Sequence, residues 1–142
     1  MFKICFFYTG LLLFASLTNA QELNKVVIKY VSYDIETPIR VDCQYFVTSF
    51  GDDVKMITIT NKKDLASFSK IFKNMIADTI QIMPDVRQKI EVFNGNKLNI
   101  ICMDESRMMI DEKPYKFSKE LFGYIEKMKK KYKGKQINPF NR

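Results

Sequence analysis

The sequence contains no histidine and no tryptophan among its 142 residues. Without an imidazole there is no Ser-His or Cys-His nucleophile, no histidine-ligated metal and no imidazole base, so many enzyme classes are excluded. Only five glycines and four prolines are present, and no repeat or linker divides the chain. Collagen-like, low-complexity and fully disordered readings therefore fail. What is present is an ordinary globular composition, 46% hydrophobic and 27% charged with a formal charge of +7, in a length of about one domain.

Residues 1–20 read as a signal peptide. Lys3 supplies a charged start, and Ile4 to Leu17 is an almost unbroken apolar run, shorter than the roughly 20 residues that cross a bilayer. Thr18-Asn19-Ala20 places small residues where a signal peptidase reads, and Gln21-Glu22 turns polar, so the expected cut follows Ala20. A lipid anchor would need a cysteine directly after that cut, and Cys5 lies at the wrong end of the run. The expectation is a secreted or periplasmic chain over residues 21–142, with no transmembrane segment after cleavage.

In that chain Cys43 and Cys102 are an even pair sent to a compartment where disulfides persist, and a Cys43–Cys102 bridge is expected. Two buried, inert thiols are the alternative. No Asn-x-Ser/Thr sequon is present. The positive charge is concentrated at one end: residues 113–142 hold ten basic and two acidic residues, whereas residues 21–112 hold twelve and fourteen.

The pattern of the chain predicts an α+β domain. Residues 25–33 are β-branched and aromatic, as a strand requires. Cys43, Phe46, Val47 and Phe50 recur at helical spacing between a candidate N-cap, Asp42, and a stop at Gly51, although a strand over these residues is an alternative. Residues 54–60 read as a strand. Asn61-Lys62-Lys63-Asp64 caps a longer helix whose apolar stripe, Leu65, Phe68, Phe72, Met75 and Ile76, runs to about Ala77. Residues 86–103 read as a hairpin around Asn94-Gly95-Asn96. A two-residue Asn94-Gly95 turn would set Val92 against Lys97, so a three-residue turn pairing Val92 with Leu98, Ile90 with Ile100 and Gln88 with Cys102 is preferred. Residues 108–110 form a further strand, Asp111 to Pro114 a turn, and Ser118 caps a last helix with Leu121, Phe122, Ile125, Met128 and Tyr132 on one face. From Gly134 to Arg142 the end is expected to fray. The architecture is therefore a mostly antiparallel sheet with one long central helix, a short helix and a C-terminal helix packed on one face.

Candidate chemistry is sparse. Ser67-Phe68-Ser69-Lys70 has the Ser-x-x-Lys spacing that sets a hydroxyl one helical turn from an amine, but none of the partner motifs of such enzymes accompanies it. Asp52-Asp53 and Asp104-Glu105 are carboxylate pairs that could serve as an acid/base pair or hold a hard cation, yet they lack the alternating spacing of a calcium loop. No metal or cofactor is expected. Lys127, Lys129, Lys130, Lys131, Lys133 and Lys135, interleaved with Met128 and Tyr132, form a local positive field, for which a solvated helix end is the plain explanation. Most of the methionines and phenylalanines fall on expected core faces, and Met108-Met109 is the pair retained as a candidate exposed contact.

The run Ile90 to Met103 with its Asn-Gly-Asn turn and Cys102, followed by Met109-Ile110-Asp111-Glu112-Lys113-Pro114-Tyr115 and the closing helix, resembles small exported bacterial proteins of uncharacterised function. The resemblance implies a periplasmic or secreted α+β domain and assigns no functional residue. The expected function is an exported non-enzymatic module that binds a protein partner, as an inhibitor or envelope accessory factor, through the sheet surface or the basic helix. The alternatives are an adsorber of anionic envelope lipid or polymer through the lysines, and a small hydrolase using Ser67 or the carboxylates. Nucleic acid is set aside because the chain carries an export signal and no binding motif.

Overall fold

Ten elements follow one another in the computed structural model, which describes residues 22–137. They are β1 (Leu23–Tyr30), α1 (Phe46–Phe50), β2 (Lys55–Ile59), α2 (Lys62–Lys73), β3 (Gln88–Asn94), β4 (Lys97–Met103), β5 (Met108–Ile110), β6 (Lys113–Tyr115), α3 (Lys119–Tyr132) and β7 (Lys135–Gln136). The leader, its cut and residues 138–142 of the expected frayed end lie outside the described residues. All seven strands join one antiparallel sheet in the order β6-β5-β4-β3-β1-β2-β7. The α+β expectation holds, with the sheet dominating. Among the described residues no single long central helix is present: α2 has 12 residues, and the C-terminal α3, with 14, is the longer.

One face of the sheet is built by register. Val26 lies opposite Ile59 and Val92, Ile28 opposite Ile57 and Ile90, and Ile90 opposite Ile101. These side chains form a continuous apolar band that packs with Leu65 and Phe68 of α2 and Leu121, Ile125 and Met128 of α3. Both helices start at side-chain caps. Asn61 Oδ1 accepts from the N–H groups of Lys63 at 3.0 Å and Asp64 at 3.3 Å, and Ser118 Oγ accepts from Leu121 N–H at 3.1 Å.

α2 ends at Lys73 rather than near Ala77, because the next residues are claimed by the sheet edge. Ala77 bridges Tyr115, Asp78 N–H donates to Pro114 O at 3.0 Å and Lys116 N–H to Ile76 O at 2.9 Å. Pairing an open edge outweighs one more helical turn of exposed backbone. The same economy governs the other edge. The expected fraying from Gly134 is not found over Lys135 and Gln136, which pair with Met56 and Lys55 as β7, and Ile137 N–H donates to Val54 O.

The hairpin takes neither register considered from sequence. Asn94 pairs with Lys97, so the loop is Gly95-Asn96, and Gly95, at φ +58°, supplies the positive φ at its first position. Ile90 then faces Ile101 and Val92 faces Asn99, while Lys89 faces Cys102. Cys102 and Ile100 thereby fall on the opposite face from α2 and α3, where Cys102 is buried in a core of its own. Helices on one face alone do not describe the fold either. Phe46 and Phe50 of α1, with Val31, Val41, Val54, Val86 and Cys102, close a second buried cluster on the far side of the sheet. Burial on both faces explains why Ile100-Ile101-Cys102-Met103 reads as a continuous apolar run. Met108 and Met109 are 2% and 5% exposed, paired with Met103 and Cys102, so this pair is core and not the exposed contact expected of it.

Candidate binding surfaces

The Cys43–Cys102 bridge is present, with Cα atoms 5.8 Å apart, and it fastens the segment before α1 to β4. Inside the same cluster, Lys89 Nζ donates to Cys43 O at 3.2 Å, and burial pushes this ammonium below the ordinary lysine value.

The six lysines named from sequence divide into two kinds. Lys129 turns inward: its Nζ lies 2.5 Å from Glu126 Oε1 and 4.7 Å from the centroid of the Tyr30 ring. Lys131 Nζ donates to Asp64 Oδ2 at 2.6 Å, tying α3 to α2. Lys127, Lys130, Lys133 and Lys135 are exposed. The lysines of α2 extend this surface. Together α2 and α3 carry nine lysines against three carboxylates, while the remaining described residues hold twelve basic and thirteen acidic groups. The whole positive excess of the described residues therefore sits on these two helices, and the remainder is close to neutral.

Asp64 is the residue that sequence reasoning treated only as part of a cap. It is 8% exposed, and Oδ2 also accepts from the Tyr132 hydroxyl, while Tyr124 Oη donates to Asp64 O at 3.0 Å. Its signal in the sequence, an acid in the first turn of a helix, does not reveal a partner 67 residues away. The hydrogen bonds from Lys131 and Tyr132 hold the Asp64 carboxyl below its ordinary value of 3.8. The folded chain thus takes up this proton less readily than the unfolded chain. The resulting stabilisation is complete above the unfolded value and is lost as pH falls through the lower folded one. Asp64→Asn is expected to flatten the acid side of the stability curve. Urea midpoints of variant and native chain should differ near neutral pH and converge only as the pH falls below the ordinary carboxyl value of 3.8; a constant difference would remove Asp64 from the acid response.

The catalytic candidates are not assembled. Ser67 Oγ donates to Lys63 O at 3.1 Å, back along its own helix, and both Ser67 and Lys70 are exposed. Asp52 and Asp53 are exposed in the 3-10 turn before β2. Asp104 is occupied as a turn cap, with Oδ1 accepting from Ser106 N–H and Arg107 N–H, both at 2.7 Å. The two carboxylate pairs follow β4 and precede β2, strands three positions apart in the sheet, which separates them by about 14 Å. Among the described residues no group of three or more Cys, Asp or Glu side chains could hold a metal ion.

A surface that sequence reasoning missed lies between α2 and β3. Ile76, Ile80 and Ile82 are 60%, 62% and 53% exposed on a segment that belongs to no helix or strand. Its ends are anchored: Asp78 Oδ1 accepts from Thr79 N–H and Ile80 N–H, and Arg107 donates to Met83 O at 3.4 Å. Between these anchors the N–H groups of Gln81 and Ile82 donate to nothing among the described residues. Of the three, only Ile76 falls on the apolar stripe expected of the long helix, and Ile80 and Ile82 carry no pattern of their own in the sequence. The signal against Ile76 was Asn74, which ends the helix before that residue can join it.

No family model matches the chain, and no significant match is found among curated proteins or solved structures.

Proposed function

We propose that this chain is an exported, non-enzymatic binding module that docks a protein partner through Ile76, Ile80 and Ile82. The observation that supports this reading is the anchored segment that holds these three apolar side chains in water beside unpaired backbone donors. Covering each isoleucine contributes about 1.5–3 kcal/mol before the costs of association, and free donors beside a sheet edge suit a partner segment that adds as a strand. The disulfide accords with export, and among the described residues no helix is long and apolar enough to cross a membrane.

A second reading rests on the lysines of the helical layer, which would hold an anionic lipid or polymer surface. Crosslinking in cells that export the protein, at low and high salt, separates the two. One protein captured at high salt by the native chain, and reduced at least about tenfold by Ile80→Asp with Ile82→Asp, is the expected result. These positions are exposed, so the melting temperature should hardly move. Diffuse capture that vanishes at high salt and with Lys127→Glu and Lys130→Glu would transfer the function to the lysines. Lys129 and Lys131 are unsuited to that test because each is already engaged with a carboxylate.

A further inference from the structure

At the hairpin end of the sheet, a groove of about 600 Å³ opens between α2 and strands β1 and β3. Leu23, Leu65, Phe72 and Val92 give it an apolar lining. Phe72 and Lys73 also border a neighbouring cavity of about 390 Å³, where Lys97 and Lys113 join Lys73. None of these three lysines forms an ion pair among the described residues. The one carboxylate in that cavity, Asp111, is committed to Asn99 Nδ2 at 2.6 Å and Ile100 N–H at 2.8 Å. Glu22 and Lys62 also line the groove. An apolar trough thus leads past one aromatic ring to three unpaired ammonium groups.

We propose that this groove binds one long-chain carboxylate, with its acyl chain along Leu23, Leu65, Val92 and Phe72 and its carboxylate among Lys73, Lys97 and Lys113. The volume lies within the about 300–1,000 Å³ of small-molecule sites, which combine an apolar lining with a few placed polar groups. The lysines select the charged end, because an uncharged head would leave them nothing to neutralise, and the trough selects the chain, because a short carboxylate leaves it in water.

The test is a fluorescence titration of the protein, purified from cells expressing the full chain, with dansyl-undecanoate as probe. Palmitate, hexadecanol and acetate serve as competitors, and native mass spectrometry reports stoichiometry. Saturable binding of one probe per chain is expected, with palmitate displacing it, hexadecanol weaker by at least about tenfold and acetate without effect. Lys73→Gln with Lys113→Gln should raise Kd by about tenfold at an unchanged melting temperature, since both side chains are exposed, and should remove most of the salt dependence. Ser69→Trp, placed on the α2 wall, should abolish binding by filling the groove. Equal competition by palmitate and hexadecanol, or an unaltered Kd in the lysine variant, would overturn the proposal. So would the absence of saturable binding, or a dimer that dissociates on Ser69→Trp, which would give the groove to a second copy of the chain.

Discussion

Replacing Cys43 and Cys102 by alanine is expected to lower the stability of the chain by about 4 kcal/mol, one of its two largest single losses. The bridge closes a loop of 59 residues, and opening it restores that freedom to the unfolded chain. The loop spans α1, β2, α2, β3 and most of β4, so elements on both faces of the sheet are enclosed by one covalent link, while α3 lies outside it. Its local consequence is greater on the far face. Phe46 and Phe50 pack there on Cys102, Val54 and Val86, and α1 has only five residues and no side-chain cap to hold it alone. Urea denaturation of the native, reduced and double-alanine chains measures the global loss. Hydrogen exchange should show Phe46 to Phe50 opening well before β1, whose Val26 and Ile28 are fully buried. Equal urea midpoints would show that the bridge adds nothing beyond the packing around it. A thiol assay on denatured, unreduced protein should find neither Cys43 nor Cys102 free, against the alternative of two inert thiols.

Elements whose burial repeats within the element were readable in the sequence, and elements defined by a distant partner were not. α2 and α3 carry their own evidence in three- and four-residue spacing and in Asn61 and Ser118, and both caps appear in the structure. The Cys43–Cys102 pairing needed only the parity of two residues and their compartment. The hairpin register is not legible in the sequence because both faces of the sheet are buried. With both faces buried, the alternation of Ile90, Val92, Leu98 and Ile100 no longer identifies the side that meets the helices. For the same reason Met108 and Met109 looked like one apolar pair left over, although they serve opposite faces of the sheet. Residues 76–78 and 135–136 are too short to announce themselves as strands, and only the open edges of β6 and β2 give them a role. Of the candidate surfaces, the lysines were visible, but not their division. Lys131 is taken up by Asp64 of α2, which follows from where α3 lies, whereas Lys129 meets Glu126 three residues back on its own helix, a spacing open to the sequence.

Phe68→Ala is expected to cost about 3–5 kcal/mol, whereas Ser67→Ala, one position earlier on the same helix, should stay within about 0.5 kcal/mol. Phe68 is fully buried, with its ring 5.7 Å from Phe72 in a stacked arrangement and 5.7 Å from Tyr124 edge to face. Its removal leaves a cavity at the junction of α2, α3 and the sheet, where close packing prevents full collapse. The loss reaches the proposed ligand groove as well, because Phe72, which lines both cavities, rests on Phe68. Dansyl-undecanoate should bind the alanine variant more weakly even where it remains folded, while Ser67→Ala leaves binding intact. Phe68 and the disulfide belong to clusters on opposite faces of the sheet, with no shared contact, so their costs should add. A chain lacking both would lose about 7–9 kcal/mol, comparable to the whole stability of about 5–15 kcal/mol expected for a domain of this kind. Thermal unfolding followed by circular dichroism should therefore give two cooperative single variants at lowered midpoints and a double variant largely unfolded at room temperature. A double variant no less stable than Phe68→Ala alone would show that the two faces of the sheet are coupled through β4 rather than independent.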